Sequence, residues 1–326
     1  MKTIIKHAPA KINLFLHITG KRPDGYHNLQ TVFRLIDLYD TLTFTHSSQL
    51  IGNTNTVVTL NKDPSITENI EQNLIVKAAR RLLAYVRQHH MLSEGQIQAL
   101  PIIDIQLDKQ IPMGAGLGGG SSDCATTLMT LNDMWQLGLS NVQLREIGAT
   151  LGADVPIFIY GQDAIAEGIG EILTPIQLAP QRILLLMPNA HINTAQLFAH
   201  PALRRDCPAF PREFIYSHES DFTNQLTSEF SNVFEPVVRD LSHEVDSALS
   251  HLAKLAENTQ TTPRMTGSGS CVFLPLSNHV DEETIAQWQQ QAPCPSRVVR
   301  TFHEQFNTGY LYEKLGFITI FKFSDK

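Results

Sequence analysis

Three groups of residues in this sequence have types and spacings suited to chemistry. Five glycines fall within the eleven residues Pro112-Met113-Gly114-Ala115-Gly116-Leu117-Gly118-Gly119-Gly120-Ser121-Ser122. Glycine lets the main chain take positive φ and come close to a ligand. Where such a bend opens a helix, unpaired N–H groups and the positive dipole end bind phosphate. Lys11 lies inside the apolar run Ala8-Pro9-Ala10-Lys11-Ile12-Asn13-Leu14-Phe15-Leu16. By strand alternation Lys11 and Asn13 share one face, opposite Ile12 and Leu14. That face is either solvated or aimed into a cleft, where the lysine would sit beside an anion or a carboxylate. Asp154 stands between Gly152-Ala153 and Val155-Pro156. It reads either as a turn aspartate bonded to its own backbone or as a carboxylate at a strand mouth, accepting a hydroxyl proton during phosphoryl transfer.

Asp24-Gly25-Tyr26-His27 is the third group. It is either a turn before a buried tyrosine, or a ring that stacks on a base beside a histidine that bonds the base edge. The glycine segment also admits other readings. A plain flexible turn is one. Gly114-x-Gly116-x-x-Gly119 fits the dinucleotide fingerprint formally, but no strand ending in an acidic residue follows at the expected distance. A P-loop would need Lys-Ser/Thr after the glycines, and none is there. A second glycine-rich bend, Arg264-Met265-Thr266-Gly267-Ser268-Gly269-Ser270-Cys271-Val272-Phe273, would by itself be an ordinary hairpin turn.

The elements that must position these residues follow from periodicity. Residues 4–18 alternate as a strand with Ile12, Leu14, Leu16 and Ile18 on one face. Residues 28–45 read as one or two more strands. A long helix spans 67–88, with Thr67 as candidate N-cap and Ile70, Leu74, Ala78 and Leu82 at helical spacing. A strand over 102–107 leads into the glycine bend, and a helix runs from Ser121 to about Leu137. Ser140 and Gln143 form a capping-box pattern opening the next helix. Ala153–Ile159 is expected to lead into a strand. Beyond Gly161, strands are expected at 164–167, 182–187 and 271–276, and helices near 194–200, 222–234 and 237–256. Pro201–His218 reads as a long loop.

The chain has 326 residues, 42% apolar and 17% charged, with formal charge −7. This composition supports two domains with sizeable cores. The acidity argues against a nucleic-acid or membrane-surface binder, which needs a basic field. Cys124, Cys207, Cys271 and Cys294 form no CxxC pair, so free thiols in a reducing, cytoplasmic setting are expected. No signal-peptide pattern or membrane-spanning run is evident.

In chain order these blocks resemble the GHMP kinase superfamily. Pro112–Ser122 is similar to its phosphate loop, P-x-G-x-G-L-G-S/G-S. Ala8–Leu14 with Arg22–His27, Gly152–Pro156 and Arg264–Phe273 match further blocks, so the likeness covers roughly residues 7–300. It implies an α+β fold: residues 1–160 as an ATP-binding domain like the second domain of ribosomal protein S5, and residues 161–302 as a ferredoxin-like domain. It also implies ATP and Mg²⁺ as cofactors, with metal ligands unassigned, and Lys11 and Asp154 as the catalytic pair. Pro112 through Ser122 would hold ATP, with Asn73 and Lys109 near the adenine, although a solvated surface lysine is an equally good reading of Lys109. Asn13, Tyr26, His27, Asp154, Thr194 and Phe198 would contact the acceptor. Within the superfamily Tyr26, His27 and Phe198 favour a cytidine-bearing acceptor, and the resemblance implies a cytidine diphosphate-bearing polyol phosphorylated on its 2-hydroxyl in non-mevalonate isoprenoid precursor synthesis. Mevalonate or homoserine as acceptor, a dinucleotide oxidoreductase and a non-catalytic nucleotide-binding module are the alternatives. Residues 303–326 depart from the family pattern and are given no function.

Overall fold

The computed structural model describes residues 3–54, 56–61, 69–224, 229–257 and 261–302. Strands β1 (Thr3–Lys21) and β2 (His27–Leu50) pair antiparallel along nearly their whole length. Then come β3 (Val58–Leu60), a 3-10 turn (Ile70–Gln72), α1 (Leu74–Gln88), α2 (Glu94–Gln98) and β4 (Pro101–Asp108). Next are α3 (Gly119–Met134), α4 (Asn141–Ala149), α5 (Val155–Tyr160), β5 (Ala164–Glu167) and β6 (Ile172–Pro175). The six strands make one sheet, ordered β3-β4-β2-β5-β6 with β1 also on β2. The rest of the chain supplies β7 (Arg182–Leu186), α6 (Thr194–Ala199), α7 (Arg212–Ser217), α8 (Glu219–Asn224), α9 (Glu235–Leu241) and α10 (His243–Ala256). It ends with β8 (Arg264–Met265), β9 (Val272–Leu276), α11 (Glu282–Gln291) and β10 (Ser296–Arg300). These four strands form a second sheet, ordered β10-β7-β9-β8. The chain passes between sheets within residues 176–181, later than the expected boundary at 160, because β5 pairs with Thr31–Phe33 of β2.

Alternation along the strands divides the apolar residues among three cores. Leu184 and Leu186 of β7 join Val272 and Leu274 of β9 in a core roofed by α9, α10 and α11. Ile183, Leu185 and Phe273, on the opposite faces, meet Ala10, Ile12 and Leu14 of β1 and Val32 and Ile36 of β2. The third core lies between the first sheet and α1, α3, α4 and α5. A register shift in β1 between Asn13 and Leu16 bends the strand. Leu16 and Ile18 therefore leave the face of Ile12 and Leu14 and enter the second sheet's core.

Several expected elements differ in detail. Residues 155–160 form a helix, not a strand, with Pro156 in its first turn, where proline's fixed φ suits a helix start. Asn73 caps α1 through a 2.9 Å bond from the Ile75 amide; Thr67 and the tail from His303 lie outside the described residues. The capping box of Ser140 and Gln143 is present. The span 222–234 is not one helix: α8 ends at Asn224, and Asn232 makes a bridge to Leu16. Residues 201–218 contain α7. Among the described residues, no helix is long and apolar enough to cross a membrane.

One buried ion pair joins the sheets. Arg34 of β2 is fully buried, and its Nε lies 3.4 Å from Asp163 Oδ2. Its guanidinium also donates to the Ala179 carbonyl and, at 2.8 Å, to Thr301 Oγ1. Burial pushes the Asp163 carboxyl up to about 6 against the pull of Arg34. Removing one partner of such a pair strands a charge in a low-dielectric interior. Asp163→Ala is expected to destabilise the fold by roughly 3–5 kcal/mol in urea titrations.

Candidate active site

The first glycine bend runs from the end of β4 into α3. Gly114, Gly116 and Gly118 all have positive φ, at 66°, 77° and 73°. At Gly116 a Cβ would collide with the Thr266 carbonyl oxygen of the second glycine bend, and at Gly267 a Cβ would come 2.9 Å from Gly116 O. The two bends therefore touch backbone to backbone. Gly118 is the N-cap of α3, and no side chain caps the helix. The first-turn amides are thus left for an anion, at the positive end of a 16-residue helix.

Lys11 lies beneath this bend. Its amide donates to Leu117 O at 3.0 Å, and its Cε would be 3.2 Å from a Cβ on Gly118. Its ammonium is 3% exposed and sits 3.2 Å from Asp154 Oδ2. It also donates to Asn13 Oδ1 at 2.7 Å and lies over the Phe33 ring. Asp154 is the N-cap residue of α5 but makes no side-chain capping bond. Its carboxylate, 34% exposed, is turned to Lys11 and to the open side instead. A buried cation beside a half-open carboxylate leaves one acceptor oxygen on the open side, within reach of a hydroxyl.

Asn13 ties this pair to both bends. Its amide donates to Thr266 Oγ1 at 3.0 Å and its Nδ2 to Thr31 Oγ1 at 3.0 Å. Thr266 Oγ1 in turn lies 3.3 Å from Gly116 O. Thr31 carries no sequence cue beyond a small hydroxyl in an apolar strand; Thr266 lies in the second glycine bend, which the sequence does reveal, but its bond to Asn13, 253 residues away, could not be read from spacing.

The other expected ATP residues divide. Met113 is 60% exposed at the mouth of the bend, while Ala115 and Leu117 are buried beneath it. Ser121 packs its hydroxyl 3.6 Å from the Cβ direction of Gly152, at the Asp154 end of the site. Ser122 is fully buried and its hydroxyl has no hydrogen-bond partner. Asn73 spends its side chain capping α1, whose Leu74 lies against Gly120. Lys109 is neither solvated nor free: its ammonium donates to Asp40 and, at 3.0 Å, to Asp123 Oδ2. Burial works against that ammonium, but Asp123 and Asp40 outweigh it and hold it above the usual lysine range. Asp40 also accepts from the amides of Gln110 and Ile111 at 2.6 and 2.8 Å. This buried knot fixes the strand end from which the bend departs.

The expected acceptor residues gather at the other end. His27 stacks on Phe198, with ring centroids 5.0 Å apart and planes at 22°. Phe198 meets Phe234 edge-on. Tyr26 is 61% exposed beside them. Burial first, then Arg205 and Lys21, hold His27 below its ordinary range, so the ring is neutral at pH 7. Its Nε2 is screened from solvent and has no hydrogen-bond partner. Thr194 opens α6, and its hydroxyl lies 2.8 Å from Ser268 Oγ.

A glycine bend meeting a helix start, crossed by a second such bend and facing a lysine–carboxylate pair, defines a small-molecule kinase of the GHMP class, and residues 73–162 match the family GHMP kinases N terminal domain. The chain is 50% identical to the 4-diphosphocytidyl-2-C-methyl-D-erythritol kinase of Psychrobacter cryohalolentis, over 91% of this chain and 96% of that relative. It is 43% identical to the enzyme of that name from Acinetobacter baylyi, over 91% and 95% of the two chains. The chain belongs to the 4-diphosphocytidyl-2-C-methyl-D-erythritol kinase family. A crystal structure of a 4-(cytidine 5'-diphospho)-2C-methyl-D-erythritol kinase superposes with TM-score 0.70 at 27% identity, covering 91% of this chain and 99% of that one. The mevalonate kinase of Methanococcus jannaschii shares the fold at TM-score 0.62 and 15% identity, over 92% and 99% of the chains. The fold is thus the α+β fold of the GHMP kinases.

The contact between the bends is open to test. Gly116→Ala is expected to lose the thermal protection that a non-hydrolysable ATP analogue gives the native chain, because the added methyl pushes the bends apart. A melting curve with and without the analogue reads this directly.

Proposed function

We propose that this chain transfers the γ-phosphoryl group of ATP to the 2-hydroxyl of 4-diphosphocytidyl-2-C-methyl-D-erythritol, a step of non-mevalonate isoprenoid precursor synthesis in the cytoplasm. The observation that carries the reading is the 3.2 Å pair of Lys11 and Asp154 beneath the uncapped start of α3. Four free cysteines accord with a reducing compartment. In this assignment the amides of the 114–120 bend cradle the triphosphate. Tyr26, His27 and Phe198 take the cytosine: the rings supply a stacking surface, and the unbonded Nε2 of the neutral histidine reads the base edge.

Phosphoryl transfer asks little covalent chemistry of the protein beyond positioning and charge stabilisation. The acceptor hydroxyl gives its proton to Asp154 as its oxygen bonds to the γ-phosphorus. The bond to the β,γ-bridging oxygen breaks, and ADP leaves. Lys11 neutralises charge on the transferring group and fixes the position of the Asp154 carboxylate. The described residues contain no cluster of three or more histidines, cysteines or carboxylates. That fits Mg²⁺, which takes most of its oxygens from phosphates and water and needs only one or two from protein. Asp154 and Ser121, on the open edge of the bend, are the residues that would hold it, and it would offset phosphate charge.

Asp154→Asn is expected to lower kcat by about 10²–10⁴, leaving ATP-analogue affinity within about threefold. An ADP-release assay across the cytidine-bearing acceptor, mevalonate and homoserine tests the substrate: turnover should be confined to the first. Near-normal turnover in the Asn variant would remove Asp154 from the chemistry.

A further inference from the structure

From Arg264 to Leu276 every residue is buried except Ser268. The second glycine bend is otherwise fixed. Asn232 Nδ2 donates to Met265 O and Gly267 O at 2.7 and 2.8 Å, and Ser270 Oγ donates to Pro188 O at 2.9 Å. Ser268 alone leaves the bend, and its hydroxyl meets Thr194 Oγ1 at 2.8 Å. Thr194 begins α6, a helix of six residues. This helix touches the rest of the protein at few points: Leu197 in the second core, Phe198 on His27 and Phe234, and the Arg205 guanidinium on the carbonyls of Phe198 and His200.

These contacts form one unbroken series. It runs from His27 through the Phe198 ring to α6, then across Thr194 and Ser268 to the second bend. From there Thr266 Oγ1 reaches both Gly116 O and the Asn13 amide, and Asn13 Oδ1 accepts a hydrogen bond from Lys11, the partner of Asp154. The base-reading rings and the reacting pair are thus joined across the Thr194–Ser268 hydroxyl contact, beside a second route in which Phe198 packs on Phe234, whose amide donates to Asn232 Oδ1.

We propose that Ser268 is a positioning residue that, through Thr194, makes the seating of the acceptor's base fix the second glycine bend on the first. This rests on the cytidine-bearing acceptor assigned above. A base wedged at His27 and Phe198 sets the angle of α6, and α6 sets Ser268 through Thr194. The bend can then hold Thr266 where Asn13 and Gly116 need it. A truncated acceptor lacking the nucleotide leaves α6 unset, so remote binding energy serves the transfer step rather than affinity.

The test uses the full chain and CDP as probe. The amide of Cys271 donates across the bends to Ala115 O at 3.1 Å, and that of Gly269 to Thr266 O at 3.0 Å within the second bend, so exchange at Cys271 reports the closure and exchange at Gly269 the order of the second bend. CDP should slow exchange at both about tenfold in the native chain, and not in Ser268→Ala or Thr194→Val, while the CDP affinity of Ser268→Ala by calorimetry stays within about threefold of native. Kinetically, each variant should lower kcat for the cytidine-bearing acceptor about tenfold, and the double variant no further, because both remove the same link. Ser268→Thr, which keeps the hydroxyl, should restore both readouts. For the acceptor lacking cytidine, the Ser268→Ala kcat should stay within about twofold of native. Equal CDP protection in native and variant chains would overturn the proposal, as would single-variant effects that multiply in the double variant. A native chain that binds CDP and shows the protection but releases no ADP would instead refute the assigned reaction and leave the coupling standing.

Discussion

The site depends on two stretches of main chain being able to cross without side chains between them. Gly116 and Gly267 lie backbone against backbone, one from the first sheet's side and one from the second. Everything chemical is hung from that crossing. Lys11 is bonded to it through Leu117 O, Asn13 through Thr266, and the unbonded amides of α3 begin two residues beyond. A glycine at such a place is a steric requirement, since positive φ and the carbonyl opposite both exclude a Cβ. The long strand pair β1–β2 then carries Lys11 and Asn13 to the crossing from below, and the bulge after Asn13 turns the strand's remaining apolar residues into the other core.

Two lysines in this cleft illustrate how surroundings assign roles. Lys109 faces two buried carboxylates and is consumed by them; it ties β4 to α3 and Asp40. Lys11 faces one carboxylate that stays a third open to solvent. The first arrangement is closed and structural. The second leaves a carboxylate oxygen on the open side, where a hydroxyl can reach it.

Much of the site was legible in the sequence, and the reasons differ by residue. The glycine bend could be read because glycine carries information about backbone angle at its own position. The alternation around Lys11 and Asn13 put them on one face, and the structure brings that face to Asp154. Asp154 itself reads in the sequence either as a turn aspartate or as a carboxylate at a strand mouth. Val155–Ile159 is a short apolar run, and such a run does not distinguish a buried helix from a strand by period; Pro156 was the cue to the helix. Thr31, Thr266, Asp40 and Asp123 were not legible as partners. Their roles arise from contacts across dozens or hundreds of residues, and a buried threonine or aspartate looks locally like any other. The long β2 strand was foreseen only as one or two pieces, because its pairing with β1, β4 and β5 in turn keeps it extended past any local break in pattern.

The Arg34 network has a consequence for how this molecule must move. A guanidinium held in the interior by Asp163, Ala179 and Thr301 rivets the middle of β2 to the segments flanking the second sheet. Prising the sheets apart in each cycle would mean repeatedly moving a charge between oil and water. Separating the two sheets is therefore costly, and the buried guanidinium acts as a rivet between them.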